Sequence, residues 1–359
     1  MKTIDEICRE LFSKPKDWDY YQENGDGFVY PFESDDYRLC SEFIKTFFRI
    51  AGKEANTFRD FADKLGKRSQ HVVSTFFLGI YLYKNSSYIH NMVHKELQKK
   101  YPKGFSDNEI DRDFTFVWFL ISLFHDMGYL IEEDKIDQKP KYSSFKDFLA
   151  SECKNKKLRN FSGVPEFYSG IYKPYFKYRI KEQQINDHGI CGAFLLFKNL
   201  YEIRKRKVEK PEPDDKLCWD KFLIEIYNFA SWIILAHNIW YANCNHQDKV
   251  AEYNYYKLNK LIRANDEYKI KFEEYPMLFL FCLIDSIEFL KKIKNIALLG
   301  KIELGIENGD NEKCRIVVKP NLTCACNEKV LGSIKDLNTW LTTTTEVEDK
   351  AIKIDILSQ

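Results

Sequence analysis

An apolar stretch that ends in an adjacent histidine and aspartate most constrains how this chain can fold. Residues 114–124 read FTFVWFLISLF, and His125 and Asp126 follow directly. An imidazole and a carboxylate are good ligands for a divalent metal, but both are costly to bury without a partner. The segment therefore predicts a helix that carries metal ligands into a protected site.

Ligand-type residues also lie at the edges of the other strongly apolar segments. His71 and His188 each begin such a segment, His237 ends one, and Asp285 follows one. Taken in chain order with His125, the histidines alternate between the start and the end of a segment. If neighbouring helices run antiparallel, this alternation places the side chains at one end of a helical bundle. Several imidazoles, a shared carboxylate and a further aspartate suit a two-metal centre.

A purely structural role is the alternative for each of these residues. A single histidine beside apolar residues is more often a packed core or surface residue than a ligand. The ordered set of six ligand-type residues favours a metal site. Its nitrogen and oxygen donors are compatible with Mn, Fe, Mg, Co, Ni or Zn and do not distinguish among these metals.

Three short segments resemble the motifs of the HD-domain metal-dependent phosphohydrolases. Arg68–His71 (RSQH) resembles the first motif, Leu123–Gly128 (LFHDMG) the adjacent His-Asp motif, and Leu283–Asp285 (LID) the final aspartate motif. The resemblance covers about residues 60–295 and implies a mainly α fold, an HD-domain helical bundle. It also implies that one metal ion is held by His71, His125, Asp126 and Asp285.

His188 and His237 extend the resemblance to the binuclear subgroup of that family, which includes cyclic-nucleotide and cyclic-dinucleotide phosphodiesterases. The resemblance implies that Asp126 bridges to a second metal ion, completed by His188 and His237. The chain departs from the motifs of the subgroup at two places. Tyr129 stands where one type has a lysine and another a second histidine, and Ala236–Asn238 (AHN) replaces a His-His-Glu triplet. The resemblance therefore extends to the metal chemistry but does not identify the substrate.

The implied reaction is hydrolysis of a phosphoester bond in a nucleotide-type substrate. Two divalent metal ions would activate a bridging hydroxide at Asp126, and His188 or His237 would protonate the leaving group. Arg68 is predicted to bind a substrate phosphate through its guanidinium, with a surface ion pair as the alternative. We expect a hydrolase, and in the first place a phosphodiesterase that acts on a cyclic nucleotide or an oligonucleotide.

Two other functions stay open. The first is a (deoxy)nucleotide mono- or triphosphohydrolase, and the second is a non-enzymatic HD scaffold that senses a nucleotide. The complete ligand set argues against the scaffold, and the additional His188 and His237 favour the phosphodiesterase. Metal stoichiometry separates the three: two ions per chain indicate the phosphodiesterase, one the phosphohydrolase, and none the scaffold.

The composition limits the partners and the compartment. The 359 residues carry a net charge of +1, which does not indicate binding to nucleic acid or to an anionic membrane. No segment reaches the ~20 consecutive apolar residues of a membrane span. Ten cysteines without a Cys-x-x-Cys pair, in a chain without a signal peptide, predict reduced thiols in the cytoplasm. We expect a small phosphoester as the partner, and a homo-oligomer is one option for the assembly.

The pattern of segments predicts three regions. Residues 1–60 form an N-terminal helical extension, residues 61–295 the HD domain, and residues 296–359 a small α+β appendage of ββαβ type. The scarcity of glycine and proline, 15 and 10 residues, favours helices over a turn-rich β fold.

Within the appendage, alternating residues predict a β-hairpin over residues 301–308 and 314–319 and a last strand over residues 351–357. Residues 328–341 are predicted to form a helix.

Two segments of the HD domain read as insertions. The second, Lys205–Lys216, has charge runs and two prolines and predicts a solvent-exposed linker. The first begins with Glu132–Tyr142, which is charged and predicts a loop, and continues to Lys181. The segment from Ser143 to Lys181 is rich in tyrosine and lysine and precedes His188. Its aromatic rings are predicted to pack the insertion, with stacking on a base as the alternative.

Overall fold

The structure is a computed structural model of the whole chain. It describes all residues except 22–26, 101–109, 137, 160–161, 212–216, 218, 263–268, 294, 309–312, 323–331, 333, 335–336, 349–350 and 358–359. The predicted turn of the hairpin and half of the helix predicted over residues 328–341 therefore lie outside the described residues.

Helices dominate the described part of the chain. In chain order, the α-helices are α1 (Ile4–Phe12), α2 (Tyr37–Ile50), α3 (Asn56–Lys64), α4 (Arg68–Asn85), α5 (Ser87–Lys100), α6 (Ile110–Phe124), α7 (Tyr129–Glu132), α8 (Phe145–Glu152), α9 (Glu166–Gln183), α10 (His188–Glu209), α11 (Phe222–His237), α12 (Gln247–Tyr255), α13 (Pro276–Ile287) and α14 (Leu290–Ile293). The strands are β1 (Lys2–Thr3), β2 (Lys135–Ile136), β3 (Lys139–Pro140), β4 (Ile302–Asn308), β5 (Lys313–Pro320), β6 (Thr343–Glu348) and β7 (Ala351–Leu357). The prediction of a mainly α fold with a small C-terminal α+β part is confirmed.

The chain divides into two compact units, and neither is continuous in sequence. The first unit comprises Met1–Thr46, Leu65–Ser122 and Lys269–Gln359. The second unit comprises Phe47–Lys64 and Leu123–Tyr268. Each unit contributes its own part of the predicted ligand set.

Helix α6 contains the apolar stretch that leads to His125 and Asp126. Its residues from Phe114 to Phe124 are all buried. Phe114–Glu132 is long and apolar enough to cross a membrane by length and composition alone, but 89% of its apolar window is buried inside the protein. A helix that is apolar on all sides and covered by protein is typical of a core.

In the first unit, α4 packs against α1, α5 and α13. Both α4 and α13 are buried along most of their length, because their sequences are apolar on nearly every face. The indole N–H of Trp118, on α6, donates a hydrogen bond to the carbonyl oxygen of Phe76 at 2.9 Å. These contacts hold the start of α4 and the end of α13, where two of the predicted ligands lie.

The first unit also contains a five-stranded antiparallel sheet in the order β1-β4-β5-β7-β6. Strands β4 and β5 form the predicted hairpin, with Ile306 opposite Ile316, and the predicted last strand β7 pairs with β5. Strands β1 and β6 were not predicted. The two residues of β1 and the threonine run of β6 are strands because of the neighbours they pair with, which a local pattern does not show.

In the second unit, α10 packs against α11 and against the turn that follows α6. The tyrosines of α9 are buried, which is the packing role predicted for this segment; they are Tyr168, Tyr172, Tyr175 and Tyr178. The sequence predicts a loop over Glu132–Tyr142. In the structure this segment begins with the last residue of α7 and contains the paired strands β2 and β3.

Candidate metal centre

His125 and Asp126 lie directly after α6 rather than inside it. The helix ends at Phe124, and His125–Gly128 form a single 3-10 turn. The two side chains are buried, with residue exposures of 0% and 1%. Nε2 of His125 lies 3.3 Å from Oδ1 of Asp126. An apolar helix thus delivers both side chains to the protein interior.

A close backbone approach places His188 beside this turn. A Cβ atom at Gly128 would lie 1.8 Å from the carbonyl oxygen of His188, so only glycine permits the contact. Helix α10 begins at His188, and Oδ1 of Asp187 caps it by accepting the backbone N–H of Ile190 at 2.9 Å. The glycine of the HDMG turn therefore serves the packing that brings the turn and α10 together.

Three histidines of the second unit form what we call the imidazole cluster (His125, His188 and His237). The ring centroids of His125 and His237 are 5.6 Å apart, and those of His188 and His237 are 5.5 Å apart. The ring of Tyr129 stacks on His188 at 4.1 Å. His188 and His237 are buried. With Asp126, the second unit thus brings together four of the six predicted ligands.

Hydrogen bonds at Nδ1 orient two rings of the imidazole cluster. Nδ1 of His188 lies 3.0 Å from Oε2 of Glu132, which also accepts the backbone N–H of His188 at 2.8 Å. Nδ1 of His237 lies 2.5 Å from the carbonyl oxygen of Ile234. A neutral imidazole that donates through Nδ1 carries its lone pair on Nε2, where it can bind a metal.

Glu132 is a site residue that the sequence analysis missed. Burial raises the pKa of the Glu132 carboxyl, but the hydrogen bonds and charge of His188, together with the charge of Arg179, outweigh burial and hold that pKa below its usual value. Glu132 is therefore the ionised partner of this imidazole. Its partner lies 56 positions away in the sequence, so no local pattern could identify the pair.

In the first unit, His71 and Asp285 form a second ligand-type pair. Nε2 of His71 lies 3.0 Å from Oδ1 of Asp285, and Nδ1 of His71 lies 2.6 Å from Oε2 of Glu288. The amine of Lys291 donates to both carboxylate oxygens of Asp285, at 3.1 and 3.0 Å. Two ligand atoms at right angles, each roughly 2.1 Å from one metal ion, are about 3 Å apart. The spacing of His71 and Asp285 therefore suits a shared ion.

The charge on His71 is set by its two carboxylate neighbours. Burial lowers the pKa of His71, but the hydrogen bonds that the ring donates to Asp285 and Glu288, with the charges of these carboxylates, outweigh burial and raise the pKa to about 9. The imidazole therefore carries a proton near neutral pH when no cation is present. Because a metal binds the neutral ring, metal binding at His71 releases this proton.

Within the first unit, His71 and Asp285 each offer one ligand atom, and these two atoms lie within 4.8 Å of one another. An imidazole nitrogen and a carboxylate oxygen are donors that suit zinc, iron and related metals. This pair could contribute to a site for a metal ion.

Arg68, the predicted phosphate ligand, is the first residue of α4. It is half-buried and lies three residues before His71, on the same side of the helix. The guanidinium of Arg68 thus belongs to a residue about one helical turn before His71. Its contact with a phosphate stays a prediction.

A buried polar network supports His188 from the other side. Nδ2 of Asn238 donates to Oδ2 of Asp187 at 2.7 Å and lies 3.4 Å from Nδ1 of His188. Nε of Arg179 lies 3.3 Å from Oδ2 of Asp187. Burial raises the pKa of the Asp187 carboxyl despite the neighbouring guanidinium. Arg179 and Asp187 were not among the predicted site residues, because their roles depend on contacts between separate helices.

The chain was compared with models of known protein families, with curated proteins and with solved structures, and none of the three comparisons finds a match.

Proposed function

We propose that this protein is a metal-dependent phosphohydrolase of the HD-domain type, which cleaves a phosphoester bond in a nucleotide-type substrate. One observation carries the proposal: three of the ligand-type histidines each engage Nδ1 with an oxygen acceptor, on Glu288, Glu132 and Ile234. Metal-binding histidines share this arrangement, because it fixes the ring and directs Nε2 to the ion. The spacing of His71 and Asp285 and the motif resemblance support the same conclusion.

The residues divide into two sets by their proposed roles. His71, His125 and Asp285 would hold one divalent ion. Asp126 would join it to a second ion completed by His188 and His237. Bound divalent ions would supply a Lewis acid and an activated water for attack on phosphorus.

The protein groups supply the remaining steps. Arg68 would bind a phosphate oxygen pair through its guanidinium. His188 or His237 would donate a proton to the leaving oxygen, provided that ring is not committed to an ion. The burial of these rings limits the access of bulk water. A phosphodiesterase is the first candidate, since it uses all six ligand-type residues.

A single-metal nucleotide phosphohydrolase is the second candidate. The observation that favours it is the pair of ligand atoms on His71 and Asp285, which accounts for one ion. In that case His188 and His237 would act on the substrate rather than on a second ion.

Metal content and a substrate panel test the proposal together. The purified protein is analysed for metals and then assayed with cyclic dinucleotides, cyclic mononucleotides, short oligonucleotides and nucleoside triphosphates. Two ions per chain with cleavage of a diester support the phosphodiesterase, and one ion with release of phosphate from a mononucleotide supports the second candidate. A protein that binds no divalent metal and cleaves none of these compounds would contradict the proposal.

We also propose that the protein works in a reducing compartment, the cytoplasm. The cysteines in the described part of the chain are free thiols, and most are buried. Burial raises the pKa of several of them, including Cys191 and Cys282, which keeps them protonated and unreactive.

A further inference from the structure

Trp240 is an exposed aromatic residue close to the imidazole cluster. It follows His237 by three positions, and 59% of its surface is exposed. Its indole N–H donates to Oδ1 of Asn238 at 2.8 Å, and the amide nitrogen of Asn238 lies 3.4 Å from Nδ1 of His188. A single amide group therefore connects the edge of the indole to a ligand-type histidine.

The backbone of Trp240 is fixed by two buried tyrosines. The hydroxyl of Tyr175 accepts the N–H of Trp240 at 3.2 Å, and the hydroxyl of Tyr253 donates to its carbonyl oxygen at 3.0 Å. Asn238, which holds the indole N–H, is itself buried. An exposed side chain gains little from such fixation, whereas a binding surface gains affinity from being held in place before the ligand arrives.

A buried cation lies against the same ring. The guanidinium carbon of Arg179 is 5.5 Å from the ring centroid of Trp240, and Arg179 is paired with Asp187 at 3.3 Å. The cation–π contact further restrains the indole. Because the guanidinium is already paired, the exposed part of the ring offers an aromatic surface rather than a charged one.

We infer that Trp240 is the platform on which the planar base of a nucleoside phosphate stacks, with the phosphate directed toward the imidazole cluster. This inference rests on the proposed function. The ligand-type residues are proposed to act at the phosphate, and Trp240 would bind the base. Every nucleobase has a π face, so stacking selects compounds with a base over sugar phosphates and tolerates different bases. Trp240 therefore takes the base-stacking role that was the alternative for the tyrosines of α9, because those tyrosines are buried and unable to stack on a ligand.

The test measures binding rather than turnover. The dissociation constants of adenosine 5′-monophosphate, uridine 5′-monophosphate and ribose 5-phosphate are determined by calorimetry in the presence of Mn²⁺. The parent protein is compared with Trp240→Ala and Trp240→Phe. Tyr255→Ala is the matched control, because Tyr255 is a 78% exposed aromatic residue of the same unit.

We expect Trp240→Ala to weaken the binding of both nucleotides by about 5- to 150-fold and to leave ribose 5-phosphate unchanged. Trp240→Phe keeps most of the affinity, because phenylalanine also offers a ring, and Tyr255→Ala has no effect. Thermal unfolding of each variant checks that the fold is retained.

Three results would overturn the inference: nucleotide binding that Trp240→Ala leaves unchanged, an equal loss for ribose 5-phosphate, or a parent protein that binds nucleotides no tighter than ribose 5-phosphate. Failure of the proposed function is a separate result. A protein that binds nucleotides through Trp240 but releases no product with any metal keeps the platform and loses the hydrolase.

Discussion

His71 in the first unit and His188 in the second are both held at Nδ1 by a glutamate, but the two pairs are built differently. Glu288, the partner of His71, has a side chain with 0% exposure, and the other ring nitrogen faces Asp285. Glu132, the partner of His188, is 15% exposed and also accepts the backbone N–H at the start of α10.

The difference indicates two ways to hold a ligand-type imidazole. In the first unit, the protonated ring of His71 and the amine of Lys291 together offset the charges of two carboxylates. In the second unit, the backbone and a network through Asn238 position His188. Charge dominates the first pair and geometry the second, so the two pairs should respond differently to substitution.

The largest effect should come from the buried ligands of the second unit. His125→Ala or Asp126→Ala should lower metal-dependent turnover by on the order of a thousandfold or more, because each removes a proposed ligand. Phosphate release with added Mn²⁺ is the measurement, with circular dichroism to confirm folding. His246→Ala, which removes an exposed histidine of the same unit, is the control. Near-parental turnover in either ligand variant would remove the pair from the site.

Asp285→Ala tests the first unit. The substitution removes the carboxylate that faces Nε2 of His71, so we expect the bound metal to fall by about one ion per chain. Elemental analysis of the purified variant measures this, with the exposed Asp248→Ala as the control. Unchanged metal content would exclude Asp285 as a ligand.

The two glutamates give the most direct comparison of the units. Glu288→Gln and Glu132→Gln keep size and an acceptor oxygen but remove the charge, and each should weaken metal affinity by roughly 10- to 100-fold. We expect the larger loss for Glu288, because its side chain is fully buried beside a ring that relies on charge. Competition with a chelator of known affinity measures both. A larger loss for Glu132 would reverse the contrast drawn between the pairs.

The smallest expected effect concerns Glu96, which accepts the backbone N–H of Met277 at 2.8 Å near the start of α13, the helix that carries Asp285. Burial raises the pKa of Glu96 from 4.5 to about 7. The folded state therefore binds the proton more tightly, and the free energy of unfolding should fall as the pH rises from about 4.5 to about 7.

Glu96→Gln should remove this change in the free energy of unfolding with pH. The change amounts to at most ~1 kcal/mol, because Glu96 is only half-buried and solvent reduces the effect. Urea denaturation of the parent and the variant at pH 5 and pH 8 provides the measurement. Parallel pH profiles for the two proteins would show that another group is responsible.

Much of the fold followed from local patterns. The apolar runs predicted α4, α6, α10, α11 and α13, and residue alternation predicted β4, β5 and β7. The positions of the ligand-type residues at helix ends also followed, since helix boundaries depend on nearby residues. The strands β1 and β6 did not follow, because each is a strand only through pairing with a distant partner.

The sequence by itself determined which residues are of metal-ligand type and where along the helices they lie, because periodicity and composition are local properties of the chain. Only the tertiary structure decided which carboxylate serves which imidazole and which aromatic residue stays exposed. Glu288 lies 217 positions from His71, and Glu132 lies 56 positions from His188. Such pairs depend on how helices pack, and that packing reflects the burial of the whole apolar surface rather than any short stretch of sequence.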